Sequence, residues 1–122
     1  MKRSELFDET IFDLEDEFFD DPMDLVPVDL HPLVPGFLDR REKEVAELFD
    51  LLKRNDFFSI KEVAHKLKGN GAGYGFQRIS DIGREMESAA SMQDVQRIKQ
   101  SVEELKMITE NLKEVLRLRQ NF

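Results

Sequence analysis

The sequence predicts an all-α protein: an up-and-down antiparallel four-helix bundle, with a further acidic helix at the N-terminus as one of two interpretations. First, apolar residues recur three or four positions apart in four successive segments, which is the period of a helix that buries one face. Second, no segment shows sustained alternation of apolar and polar residues, the pattern of a half-buried strand. Third, the connections between segments are short, so successive helices should pack antiparallel. A chain of 122 residues is long enough for one such domain.

The acidity of the chain is concentrated at its N-terminus. Residues 1–30 carry 11 of the 26 acidic residues but only 2 of the 18 basic ones, a net charge of −9. The rest of the chain has 15 acidic and 16 basic residues, a net charge of +1. Apolar residues at helical spacing predict an amphipathic helix from about Ser4 to Asp20, on Phe7, Ile11, Leu14 and Phe18. A disordered acidic tail explains the same composition, and both interpretations stay open.

Four prolines separate this arm from the bundle: Pro22, Pro27, Pro32 and Pro35. We therefore expect an irregular connector over residues 21–32. The chain divides into an acidic arm with its connector, residues 1–32, and a helical bundle, residues 33–122. Pro35 fits the first turn of the first helix, where its missing N–H is not needed.

Four apolar stripes define the helices of the bundle. The first helix is predicted from about Leu33 to Asn55, and Asn55 and Asp56 mark the turn after it. The second begins near Phe57–Ser59 and runs into a cluster of glycines. The third ends by Ala90–Ser91 and uses Phe76, Ile79, Ile82 and Met86. The last has the alternating spacing of a coiled-coil seam, on Val95, Ile98, Val102, Leu105, Thr109, Leu112 and Leu116.

The composition excludes several classes of function. Cysteine is absent and there are two histidines, which excludes disulfides and thiolate chemistry and disfavours a metal site. The net charge of −8 and the lack of a basic stripe disfavour nucleic acids and anionic membranes as partners. No apolar run approaches the length that spans a bilayer, and the first ten residues do not resemble a signal peptide. The expected location is therefore the cytoplasm.

The segment Ala64–Phe76 departs from ordinary bundle sequence. Four of its residues are glycines that alternate with other residues, and glycine costs about 1 kcal/mol inside a helix relative to alanine: Gly69, Gly71, Gly73 and Gly75. The pattern is not a P-loop, because no glycine is followed by lysine, and it lacks the spacing and the preceding strand of a dinucleotide site. These glycines therefore need a reason other than phosphate binding by a loop.

Helical geometry suggests that reason. His65, Lys68 and Gly69 share one side of the second helix, and Ala72 and Gly73 continue that side one turn further on. The apolar residues lie on the opposite side and should face the bundle: Ile60, Val63, Leu67 and Tyr74. The sequence therefore predicts an outward imidazole beside nearly bare backbone, which a large partner can approach closely.

These residues resemble a known family. The run His65-Lys66-Leu67-Lys68-Gly69, followed by Gly73–Phe76 and Ile79–Glu87, resembles the histidine phosphotransfer (HPt) domain of bacterial two-component phosphorelays. The resemblance is specific over about Val34–Ala90, looser in the last helix, and does not cover the acidic arm. It implies a helical bundle whose histidine carries a phosphoryl group between aspartates of receiver domains, without ATP binding or kinase activity of its own.

The resemblance also implies roles for individual residues. It makes His65 the phosphoacceptor, Lys68 the phosphate-facing cation, Gly69 the small neighbour and Glu87 the polar partner of the imidazole. We expect Nε2 of His65 to attack the phosphoryl group while Nδ1 keeps its proton and Glu87 orients the ring. Further docking residues are expected on the same face: Lys66, Ala72, Gly73 and Arg84. No cofactor is expected on this chain, and magnesium should belong to the receiver.

Two other interpretations stay open. In the first, the chain is a non-catalytic helical adaptor that binds a signalling partner through its acidic arm or its last helix, and His65 is never phosphorylated. In the second, it is the phosphorylated domain of a kinase whose ATP-binding module is a separate protein. The expected partners are receiver domains and a hybrid histidine kinase. We expect a monomer, although the seam of the last helix would permit a dimer.

Overall fold

The computed structural model describes residues 22–120, with side chains up to Arg119. Four α-helices make up nearly all of this part of the chain: α1 (Val34–Lys53), α2 (Phe57–Gly73), α3 (Gln77–Ser91) and α4 (Val95–Gln120). Their bounds agree with the predicted ones to within a few residues. The predicted acidic helix or tail lies in the first 21 residues, outside the described ones.

The helices form a closed up-and-down bundle. Each helix packs against the next along the chain, and α4 returns to pack against α1. The most extensive of these contacts is between α2 and α3, the pair that carries the predicted site. Apart from Val95, which is exposed at the first residue of α4, the predicted stripes lie in the core or pack against it. The largest fully buried side chains are Phe37, Leu38, Leu48, Ile60, Leu67, Ile79, Met86, Ile98 and Leu105. The four-helix architecture predicted from the sequence is thus confirmed.

The start of α2 is fixed by its N-cap residue, Asp56, which immediately precedes the helix. α1 ends just before Asn55, which adopts a positive φ of 54°, and Asp56 follows as the N-cap of α2. The Asp56 carboxylate accepts hydrogen bonds from the Ser59 backbone N–H at 3.1 Å and from the Ser59 hydroxyl at 2.8 Å. These bonds lower the pKa of Asp56 and satisfy an N–H that has no partner within the helix. This turn sets the register of α2, and with it the direction in which His65 points.

The expected irregular connector is more ordered than the sequence suggests. It forms two short 3₁₀ helices, Pro22–Leu25 and Val28–Leu33, and places Met23 and Val26 in the core. Nε2 of His31 lies 3.1 Å and 3.0 Å from the carbonyl oxygens of Met23 and Val26. Since carbonyls only accept, this nitrogen carries the proton and donates to them. His31 therefore holds the connector together.

The α2–α3 loop takes its shape from Gly75. This residue has a positive φ of 85°, a conformation that a side chain disfavours. A side chain there would also collide with the backbone of Leu25. The first 3₁₀ helix can therefore cross the end of α2 only because residue 75 is glycine.

The α2–α3 interface is unusually close because two glycines face the neighbouring backbone. A Cβ at Gly83 would lie 2.5 Å from the backbone nitrogen of Lys68, and one at Gly71 would lie 2.6 Å from that of Ser80. The buried Ser80 hydroxyl also donates a hydrogen bond across the interface to the Lys68 carbonyl. These contacts bring α3 against the segment of α2 that carries His65.

Candidate functional site

His65 lies at the surface in the middle of α2. Its side chain is 68% exposed, while Ala64 and Leu67 beside it are fully buried in the core. The helix therefore turns its apolar side inward and the imidazole outward, as the phase of the sequence predicts. A group carried on this ring is accessible to another protein.

Glu87 joins the two helices at this point. Its Oε2 lies 3.1 Å from Nδ1 of His65, and its Oε1 lies 2.9 Å from Nζ of Lys68. The carboxylate only accepts hydrogen bonds, so Nδ1 must carry the proton of the neutral ring. Nε2 is then left with its lone pair on the side of the ring away from Glu87. The structure thus brings together His65, Lys68 and Glu87, the three residues to which the family resemblance assigns the chemistry.

The charge on Glu87 is stabilised by its neighbours. The hydrogen bond from the Lys68 ammonium lowers the pKa of Glu87 most, and the hydrogen bond from His65 lowers it further. Partial burial opposes these effects, because the Glu87 side chain is only 21% exposed, but it does not overcome them. Glu87 is therefore an ionised hydrogen-bond acceptor at neutral pH and holds the imidazole in one tautomer.

Gly83 explains how Glu87 reaches α2. It lies one turn before Glu87 on α3, and residues four apart share a helix face. Because Gly83 has no side chain, that face can approach the backbone of α2 between Ala64 and Lys68. The spacing of apolar residues assigns no role to Gly83 or Ser80. A glycine and a serine inside an otherwise regular helical stripe were the available signal.

The nearly bare backbone that the sequence predicts beside His65 is present at Gly69, Ala72 and Gly73, and we call these three residues the bare ridge. Apart from the glycine's own helical turn, no described atom lies within 4 Å of a Cβ built at Gly69 or at Gly73. Ala72 between them is exposed as well. These two glycines therefore do not serve packing within the described part of the chain, in contrast to Gly71, and the backbone of α2 stays uncovered there.

The two outer basic residues differ from each other. Lys66 is exposed, lies next to His65, and has no ion-pair partner among residues 22–119. Arg84 forms an ion pair with Asp81 at 3.0 Å on the exposed surface of α3. The positive charge of Arg84 is therefore compensated within α3, which makes Arg84 a weaker candidate for partner binding than Lys66.

A surface depression of about 400 Å³ adjoins the imidazole. We call it the His65 depression, and its lining consists of Phe58, Lys61, Glu62, His65, Lys66 and Glu87. Phe58 is 72% exposed, and it is not among the site residues predicted from the sequence. Its signal was an aromatic residue outside the apolar stripe of α2. In the described part of the chain, no three acidic or histidine side chains are placed to hold a metal ion.

One comparison with known proteins identifies a family. The model of a protein family described as the Hpt domain matches residues 33–116, more than half of the chain and nearly the whole bundle. Neither a curated protein nor a solved structure matches the sequence. None of the described helices has the length and apolar character needed to cross a membrane.

Proposed function

Since the chain belongs to the Hpt domain family, whose members take part in histidine phosphotransfer in two-component phosphorelays, we propose that it is a histidine phosphocarrier between receiver domains. In this proposal, Nε2 of His65 accepts a phosphoryl group from an aspartyl phosphate and later donates it to the aspartate of another receiver. The supporting observation is an exposed imidazole whose Nδ1 is held at 3.1 Å by the ionised carboxylate of Glu87.

The transfer step needs little from the protein beyond position and charge. The Nε2 lone pair attacks the phosphorus atom, and an N–P bond forms as the P–O bond to the receiver's carboxylate breaks. The electron pair of that bond stays on the carboxylate, and Nδ1 keeps its proton. The ring becomes positively charged, and the Glu87 carboxylate stabilises this charge. Transfer to the next receiver follows the same path in reverse.

Lys68 supplies the second charge. In the unphosphorylated protein its ammonium lies 2.9 Å from Glu87, on the oxygen that His65 does not use. The side chain is 35% exposed and has a long flexible stem, so it can exchange Glu87 for the phosphoryl oxygens. We assign Lys68 to the stabilisation of the negative charge that builds on those oxygens.

The same proposal assigns the remaining steps to other proteins. Phosphorylation from ATP is assigned to a separate or hybrid histidine kinase, and the magnesium ion to the receiver. Gly69, Ala72 and Gly73 then provide the uncovered backbone on which the receiver rests, in a monomeric carrier located in the cytoplasm.

A labelling experiment tests the proposal. A receiver domain bearing radioactive phosphate is mixed with the chain, and the carrier is examined for label that acid removes and base does not. We expect the wild-type protein and the control His31→Gln to be labelled and His65→Gln to remain unlabelled, with circular dichroism to confirm that each variant is folded. Equal labelling of His65→Gln would refute the proposal, and binding without any labelling would favour the adaptor interpretation.

A further inference from the structure

The first turns of α2 expose an aromatic ring that the fold does not need there. Phe58 is 72% exposed, whereas its neighbour Phe57 packs against the core. His65 is seven positions after Phe58, so the two side chains point within about 20° of each other and lie about 10 Å apart along the helix. Phe58 is therefore on the same face as the imidazole, two turns nearer the N-terminus of α2.

Phe58 and His65 also line one continuous surface. Both belong to the lining of the His65 depression, together with the exposed cations Lys61 and Lys66. Neither lysine forms an ion pair within residues 22–119, and Glu62 is the only acidic residue of the lining besides Glu87. The depression thus combines an exposed aromatic ring with two lysines that have no ion-pair partner among the described residues, and with the carboxylates of Glu62 and Glu87.

We propose that Phe58 is the apolar anchor of the receiver-docking surface, the side chain that supplies most of the affinity outside the reacting groups. This inference rests on the proposed phosphocarrier function. A receiver that brings its aspartyl phosphate to Nε2 of His65 must cover the depression that His65 lines. The receiver should carry an apolar hollow about 10 Å from its phosphorylated aspartate. Acidic side chains beside that hollow would meet Lys61 and Lys66.

The structure separates this role from the chemistry. The imidazole takes its tautomer from Glu87, and Phe58 lies two turns away from that contact. Loss of the ring should therefore weaken binding of the receiver without changing the reactivity of His65. Buried aromatic side chains are frequent anchors of protein interfaces, and we expect Phe58→Ala to raise the half-saturating receiver concentration about tenfold or more.

The experiment measures the transfer rate against the concentration of the receiver that phosphorylates the wild-type chain fastest, chosen from a panel of receiver domains. The variant is Phe58→Ala, and the matched control is Met107→Ala, at an apolar residue of α4 that is 62% exposed and lies outside the depression. We expect a tenfold higher half-saturating concentration and a maximal rate within about twofold for Phe58→Ala, and no change for Met107→Ala. The reaction of His65 with phosphoramidate, a phosphodonor too small to need docking, should be the same in all three proteins.

Three outcomes distinguish the two proposals. If the wild-type chain is labelled and Phe58→Ala saturates at the wild-type receiver concentration, the anchor is refuted and the phosphocarrier stands. A slower reaction of Phe58→Ala with phosphoramidate would also refute the anchor, since the ring would then act on His65 itself. If neither phosphoramidate nor any receiver labels the wild-type chain, the phosphocarrier proposal fails, and the anchor fails with it.

Discussion

The closest test of the site geometry is a single methyl group at Gly83. On helix propensity alone, Gly83→Ala should stabilise α3 by about 1 kcal/mol. The structure predicts the opposite, because the new Cβ would lie 2.5 Å from the Lys68 nitrogen and 2.8 Å from the Ala64 oxygen. Both atoms belong to the backbone of α2 and cannot rotate away. Ordinary contact begins near 3.4 Å, so the two helices must separate by roughly 1 Å.

The magnitude follows from this separation. Forcing a methyl group against backbone should cost about 3 kcal/mol, the upper end of the range for overpacking, and the gain in propensity offsets about 1 kcal/mol of it. The net loss of about 2 kcal/mol corresponds to a Tm lower by roughly 8 °C in a domain of this size. The Glu87 contact of 3.1 Å with His65 lengthens as well, so phosphotransfer should slow about tenfold or more.

The assay is urea denaturation followed by circular dichroism, with Gly69→Ala on α2 as the matched control. No described atom outside its own helical turn lies within 4 Å of a Cβ at Gly69, so this change should raise the free energy of unfolding by about 0.5–1 kcal/mol. If Gly83→Ala proves as stable as Gly69→Ala, the close approach of α2 and α3 is refuted, and with it our account of how Glu87 reaches His65.

Three further predictions concern the same site. Gly69→Leu should keep the helical content of the wild type but lower the rate of transfer from a phosphorylated receiver at least tenfold. The reason is that the leucine side chain would project from the bare ridge and obstruct the receiver. Glu87→Gln keeps an acceptor for Nδ1 and should transfer within a few-fold of the wild type, whereas Glu87→Leu should lose about 100-fold in rate. Because the folded-state pKa of Glu87 is lowered, its ionised contacts stabilise the fold fully above the pKa of the unfolded chain. The stability difference between wild type and Glu87→Gln in urea should therefore shrink as the pH falls from 7 to 3.

Each of these predictions has a result that contradicts it. Unimpaired transfer by Gly69→Leu would show that the receiver does not rest on the ridge of α2. Equal rates for Glu87→Gln and Glu87→Leu would contradict the role of Glu87 in keeping the proton of His65 on Nδ1. A stability difference that is constant from pH 7 to pH 3 would mean that the Lys68 and His65 contacts of Glu87 do not stabilise the fold through its charge.

The sequence predicts those features of the fold that depend only on the helical spacing of apolar residues. The four helices, their turns and the outward direction of His65 follow from the spacing of apolar residues, because each requires only the phase of one helix. Met86 of the third stripe is buried as the spacing predicts, whereas Met92 and Met107, which belong to none of the predicted stripes, are exposed.

Contacts that depend on the distance between two helices could not be predicted from the spacing of apolar residues. The reach of Glu87 to His65 follows from Gly83 and Ser80, whose effect requires knowing which backbone they face. The order of the connector likewise depends on His31 and on the positive φ of Gly75, which act across five or more residues. Helical periodicity carries no information about such contacts.

Under the proposed function, the sharing of Glu87 between the Lys68 ammonium and the His65 imidazole means that an empty and a loaded carrier differ beyond the phosphoryl group itself. In the empty form one carboxylate neutralises Lys68 and fixes the imidazole at the same time. Once a phosphoryl group draws the ammonium away, that carboxylate is left to the charged ring alone. An incoming receiver would then meet a different distribution of surface charge on the phosphorylated carrier than on the unphosphorylated one.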